Sequence, residues 1–263
     1  MGQMLIFGMG YAAGHLAERL RARGWDVAGT TQDGRAGSIA FGDDGAVLAA
    51  LRNATHILSS VPPVAGDDPV LARYGDAIAL APATWTGYLS STGVYGDAGG
   101  AWVDESAPVK GRRPDRNAAD AAWRALRGDV RVFRLPGIYG PGRSILERIR
   151  EGRAHRIDLP GQIFSRIHVD DIAGGIIASF RGPAGLYNLA DNEPCHQNRL
   201  VEWGCAMLGA PLPPLQSLDD AGLSPAARAF YAENRRVANA KAKRLLGWSP
   251  RYPTFREGLA ASG

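Results

Sequence analysis

The chain opens on a run of consecutive apolar residues rather than an alternating one. Residues 3–8, QMLIFG, end in glycine, as expected of a strand buried on both faces. The period then changes. Ala13, Leu16, Ala17 and Leu20 fall on one face of a helix, Glu18, Arg19 and Arg21 fall elsewhere, and Gly24 ends it. Residues 25–30, WDVAGT, make the next strand. Residues 38–41 and 45–52 repeat the strand–helix unit, and 55–60, THILSS, form a fourth strand that Pro62 and Pro63 stop. This alternation predicts an α/β, doubly wound parallel sheet. Further on, 144–152 read as an amphipathic helix, 166–180 contain a helix with a continuous apolar side, and 185–191 read as a strand. Helical segments at 196–209, 225–233 and 239–246 follow, interrupted by the proline-rich 211–216. We therefore expect a core of residues 1–141 and 161–190. A small, mainly helical substrate lobe would comprise 142–160 and 191–263, placed over the carboxyl ends of the strands.

Between the first strand and helix, Gly8-Met9-Gly10-Tyr11-Ala12-Ala13 fits G-x-G-x-x-A. Gly8 permits a tight turn, Gly10 lets a diphosphate approach the backbone, and small Ala13 allows close helix–strand packing. The helix start, with roughly half a positive charge, would hold the phosphates on the amides of Tyr11, Ala12 and Ala13. This predicts a Rossmann-type site for NAD or NADP. The second strand ends at Thr30 or Thr31 with Gln32 next, so the acid that commonly binds the ribose 2′-hydroxyl is missing there; Asp33 comes slightly late. Arg35 is near enough to meet a 2′-phosphate, which favours NADP, although it also reads as a solvated loop arginine. Ser60 and Val61, at the end of the fourth strand, would border the cofactor.

Composition adds exclusions. At 45% hydrophobic residues the 263-residue chain can bury a substantial core, and a net charge of +4 is small for its length. Only Lys110, Lys241 and Lys243 are lysines, and the arginines are scattered, which argues against a nucleic-acid partner. Cys195 and Cys205 lack metal spacing, so no metal is expected and a reduced compartment fits. No run approaches a membrane span and the first residues lack a basic leader, so a cytoplasmic protein without membrane partners is expected.

Three later stretches, SSTGVYGD (90–97), VFRLPGIYGPGR (132–143) and SRIHVDDIAGGI (165–176), join the glycine turn in one ordered set. Together they resemble the extended short-chain dehydrogenase/reductase family, in particular its bacterial epimerase/dehydratase-like members. The resemblance covers essentially the whole chain. It implies that Ser91 polarises a reacting carbonyl or alcohol and that Pro136, Gly137 and Ile138 lie along the nicotinamide. Tyr139, Arg143, Arg166 and His168 would meet a small, polar or sugar-like substrate. Asp170 reads as the N-cap of the helix that follows.

The family's Tyr-x-x-x-Lys pair is missing. Its expected positions carry Arg116 and Asp120, and no tyrosine has a lysine four residues on. General acid–base help is worth roughly 10²–10⁴ in rate, and arginine does not give up a proton near neutrality. Arg116 could still steady an oxyanion. Arg116, Asp120 and Arg124 also share one helical face, which equally suits a solvated salt-bridge ladder. Tyr95, Tyr139 and His168 are the remaining proton-donor candidates, with Tyr95 in the motif turn. Two functions follow: an NAD(P)-dependent oxidoreductase or epimerase-like enzyme with a non-standard catalytic set, or a non-catalytic NAD(P) sensor. A homodimer is possible for either.

Overall fold

The computed structural model describes residues 2–262. Its first half alternates strand and helix: β1 (Gln3–Phe7), α1 (Tyr11–Arg21), β2 (Asp26–Thr31), β3 (Ile39–Ala40), α2 (Asp44–Asn53), β4 (His56–Ser59), α3 (Pro69–Leu80) and β5 (Trp85–Ser91). Then come β6 (Trp102–Val103), α4 (Pro114–Leu126), β7 (Val130–Leu135), β8 (Gly137–Tyr139), α5 (Ile145–Arg150), β9 (Arg156–Ile157), β10 (Arg166–His168), α6 (Val169–Ala178) and β11 (Gly185–Asn188). The chain closes with α7 (Gln197–Leu208), β12 (Leu215–Gln216), α8 (Pro225–Ala229), β13 (Arg236–Val237), α9 (Ala240–Leu246) and α10 (Phe255–Ala260).

Seven strands make one sheet in the order β11-β7-β5-β4-β1-β2-β3, and every pairing in it is parallel. This is the expected α/β doubly wound fold. Winding runs outward from β1 in both directions, so the strand order reverses between β1 and β4 and a crevice opens at their carboxyl ends. The sheet is covered on both sides. Leu16, Ala17 and Leu20 of α1 pack with Ile172, Ala173 and Ile176 of α6 on one face. Val47 and Leu51 of α2, Val70, Tyr74 and Ile78 of α3, and Ala119 and Trp123 of α4 fill the other. Such two-sided burial is why the strands read as unbroken apolar runs.

Beyond the sheet, Ile145 and Leu146 of α5, Leu200, Val201 and Cys205 of α7, and Phe255 and Leu259 of α10 form a separate apolar cluster around Tyr139. Within 191–263, the segment expected to form the lobe, Ala242, Leu246 and Trp248 pack instead on the α1/α6 side of the sheet. Three two-stranded parallel ribbons, β8 with β10, β9 with β12 and β6 with β13, tie these later segments together. Among the described residues, no helix is long and apolar enough to cross a membrane.

At the start of β4, the His56 ring sits 4.7 Å from Trp25 and 4.6 Å from Phe180, stacked beside Trp85. Burial, aided by the Arg131 charge, pushes this imidazole down to about 4. The unfolded chain therefore binds a proton on His56 below about 6.5 that the folded chain refuses until about pH 4. Folding stability contributed here is present above that window and lost as pH falls through it. Asp191, raised to about 7 by burial, slopes the other way. The expected outcome is that His56→Phe flattens the acid limb relative to wild type, read as the difference in urea midpoints at pH 4.5 and 7 by tryptophan fluorescence.

Candidate active site

The glycine turn lies at the sheet's reversal point. Gly8 has φ 84°, which favours glycine, and a Cβ there would lie 2.8 Å from Val61 Cγ2. Its amide donates to Thr30 Oγ1 at 3.1 Å, and Ser60 Oγ donates to its carbonyl at 2.5 Å. The end of β4 thus braces the turn from one side and β2 from the other. Gly10 differs in kind. Its φ of −82° and ψ of −169° suit any residue, and a Cβ there would meet no atom within 4 Å. Neither backbone conformation nor internal packing demands a glycine at position 10. The open space it leaves faces the start of α1, which has no side-chain cap and no acid in its first turn. α2, α3, α5, α6 and α7 are capped by Asp43, Asp68, Ser144, His168 and His196, whereas α4 and α9 share with α1 the lack of a side-chain cap. Ala13, 1% exposed, packs into the sheet core as a small residue must there.

Around the turn, Thr31 Oγ1 bonds Ser38 Oγ at 2.7 Å and Asp33 at 3.2 Å. Gln32 is exposed, and Arg35 lies 4.0 Å from Asp33 with both side chains in solvent. Opposite, Pro136, Gly137 and Ile138 enter β8, whose register sets Gly137 beside Arg166 and Ile138 beside Ile167. Tyr11 bridges the two sides, its hydroxyl donating to Pro141 O at 2.9 Å.

Ser91 ends β5. Its Oγ accepts the Gly93 amide at 3.1 Å and so caps the 92–95 turn. One residue earlier the chain is anchored in the core. Ser90 pairs in register with Arg134 of β7, and Ser90 Oγ donates to Asp120 Oδ2 at 2.6 Å. Arg134 grips the same carboxylate with Nε at 3.0 Å and Nη2 at 2.7 Å, each side chain only 1% exposed. Asp120 is therefore neither part of a solvated ladder nor facing a cofactor. It turns into the core because β7 supplies a buried guanidinium there. α4 still buries Ala119 and Trp123, but Ala118, Ala121, Ala122 and Ala125 lie on its exposed side.

The candidate proton donors are mostly committed elsewhere. Tyr95 is 3% exposed and donates to Asn188 Oδ1 at 2.7 Å, with Arg134 stacked 4.8 Å over its ring; burial raises its phenol. Tyr139 is buried beside Thr254 O at 3.5 Å and is raised by burial and by Asp191. His168, 1% exposed, accepts the Asp170 amide on Nδ1 at 3.2 Å and lies 3.3 Å from Ser262 Oγ. Burial lowers it, which favours the neutral imidazole. His168, not Asp170, is thus the N-cap of α6: its ring nitrogen reaches the first-turn amide that the Asp170 side chain, two positions too late, does not. Arg166 is also buried, donating to Phe164 O, Cys195 O and Gln197 Oε1. Arg116 is half-buried, and burial together with Arg113 lowers it. Among the described residues, neither Arg116 nor Arg143 pairs with a carboxylate.

Sequence reasoning missed the Ser90–Asp120–Arg134 anchor and Asp191, a 2%-exposed carboxyl whose Oδ2 has no partner. A signal for the first was present: the strand VRVFRL carries two arginines, and a buried guanidinium must find acceptors, which Arg131 takes from the Asp129 and Gly182 carbonyls and Arg134 from Asp120. Among the described residues, no group of three or more His, Cys, Asp or Glu could hold a metal.

No family model matches the chain. The sheet, its reversal point and the glycine turn define a Rossmann-type α/β fold. The human epimerase family protein SDR39U1, solved with NADPH, superposes with TM-score 0.80 at 18% identity, covering 99% of this chain and 98% of that one. The chain belongs to the same family as a functionally unknown conserved protein from Silicibacter pomeroyi, 41% identical over 99% of this chain and 98% of that one, TM-score 0.91. A 3-diazoavenalumate denitrifying reductase from Streptomyces is 28% identical over 178 residues, 60% of this chain; the match spans 58% of the reductase's length.

The buried anchor generates a stability test. Asp120→Ala leaves the Arg134 charge unpaired in the core and should cost roughly 3–5 kcal/mol. The apolar pair Asp120→Leu with Arg134→Met should recover most of that loss. Chemical denaturation of the three chains checks both.

Proposed function

We propose that the protein is an NAD(P)-dependent oxidoreductase of the epimerase/dehydratase-like kind, acting on a small polar or sugar-like substrate with a non-standard catalytic set. The observation that carries this reading is Gly10: a glycine that the chain's own geometry does not need, opening on an uncapped helix start. A diphosphate approaching the backbone supplies the missing reason. The NADPH of the human neighbour and the reductase name of the Streptomyces relative support the same reading. Gly8, Gly10 and the amides of Tyr11, Ala12 and Ala13 would hold the diphosphate. Thr31, Gln32, Ser60 and Val61 border the adenosine side, and Pro136, Gly137 and Ile138 the nicotinamide side. Arg35, exposed beyond β2 and only loosely held by Asp33, favours NADP through its 2′-phosphate. When bound, the nicotinamide gives or takes a hydride.

Ser91 is the polarising group. Its oxygen already accepts from Gly93, so its own proton is available to a substrate oxygen. Tyr95 is buried and bonded to Asn188, which makes it a packing residue rather than a donor. Arg116, half-buried and without an acid, steadies developing negative charge, and water completes the proton transfer. Exposed alanines along α4 suit self-association as a homodimer.

A second reading, a non-catalytic NAD(P) sensor, is favoured by one observation: Asp120 is buried in a structural ion pair where the family keeps its catalytic lysine.

Gly10→Val should abolish NADPH binding by calorimetry while lowering the unfolding midpoint only slightly, because a Cβ there meets only open space and valine costs little beyond a weaker N-cap. Loss of binding is expected; retained binding sinks the dinucleotide reading. With NADPH and a carbonyl panel, Ser91→Ala should lower turnover by about 10²-fold or more with nucleotide affinity kept. Binding without turnover in either chain selects the sensor.

A further inference from the structure

Arg143 lies two residues before α5, at the end of the loop that leaves β8. Its guanidinium carbon stands 5.6 Å from the centre of the Tyr11 ring, within cation–π range. Tyr11 is the first residue of α1, immediately after Gly10, and its hydroxyl is tied to Pro141 O at 2.9 Å. Two segments 130 positions apart are thus joined at the mouth of the crevice. The joint is close: a Cβ on Gly140 would lie 2.7 Å from the Tyr11 hydroxyl.

Nearby acids are occupied. Glu147 is held in the capping box of Ser144. Asp170 sits 3.7 Å from the His15 ring and 3.9 Å from His168. Arg143 therefore remains an exposed cation resting on an aromatic ring, without a protein anion, beside the glycine turn. A guanidinium laid on a ring keeps its donor edge outward, in the fork geometry that matches phosphate oxygens.

We propose that Arg143 is a diphosphate-binding residue, positioned by the Tyr11 ring to close over the phosphates of a dinucleotide seated on the glycine turn. This moves it from the substrate, where the family resemblance set it, to the cofactor. The proposal rests on the dinucleotide reading of that turn.

Calorimetry with NADPH, ADP and adenosine on wild type, Arg143→Ala, Arg143→Lys, Tyr11→Leu and Gly10→Val tests it. Arg143→Ala should weaken NADPH and ADP by a similar factor, roughly tenfold or more. It should leave adenosine unchanged and make ADP binding less sensitive to salt. Arg143→Lys keeps the charge but not the fork and should fall between. Tyr11→Leu removes the platform and should follow Arg143→Ala. Because Arg143 is exposed, its variants should keep the wild-type unfolding midpoint. Unchanged ADP affinity in Arg143→Ala overturns the proposal. If Gly10→Val abolishes ADP binding in the same series, the dinucleotide reading survives that failure. Should the wild type bind neither NADPH nor ADP, both fall.

Discussion

A parallel sheet that winds both ways from one strand cannot close between the strands where winding reverses. Here those strands are β1 and β4, and most site features are positioned by that opening. Gly8 turns the chain at the carboxyl end of β1, Ser60 at the end of β4 holds the turn's carbonyl, and Thr30 of β2 holds its amide. Side chains from two flanking strands thus fix the backbone turn at the end of a third. The open space at Gly10 lies beside a braced backbone, so a ligand there meets donors that need little reordering.

The same sheet sets the second constraint on its other flank. Arg134 stands inside a strand with every residue buried, where an unpaired guanidinium would be very costly. Asp120 answers it from α4, and Ser90 completes the carboxylate's bonding from the adjoining strand. Burial opposes the arginine's charge, but the bonds from Asp120 hold it ionised and raised above its ordinary value. The pair sets the position of α4 against β5 and β7, and so where Ser91 points. A lysine at position 120 would bring a second cation to Arg134. A lysine at this position and the buried anchor therefore exclude one another.

How much of this was legible in the sequence divides along a physical line. Element order, two-sided burial and the glycine turn were readable, because apolar period and turn chemistry are local signals. The partners of α4 were not. An i, i+4, i+8 row of charges says only that three side chains share a helical stripe. Whether that stripe meets water or an arginine 14 residues on depends on packing between a helix and two strands. The sequence pattern assigns the cap of α6 to Asp170 rather than His168 for a related reason. Histidine is an uncommon N-cap, and only the ring's orientation between Tyr139 and Tyr252 brings Nδ1 to the Asp170 amide.

Proton supply remains the point on which the enzyme and sensor readings part, and the hydroxyls sort themselves by what already binds them. Tyr95 gives its proton to Asn188 and Tyr11 to Pro141, while burial raises the phenols of both. Tyr139 is sealed under α10, where a Cβ at Gly258 would collide with its ring. Ser91 is placed differently: it receives a hydrogen bond from Gly93 and keeps its own proton for something outside the chain. A hydroxyl so placed can orient and polarise a substrate oxygen, but an alcohol is too weak an acid to complete a transfer alone. On the enzyme reading, chemistry at this site would draw its proton from solvent, and its rate would respond to how far a bound substrate leaves Ser91 open to water.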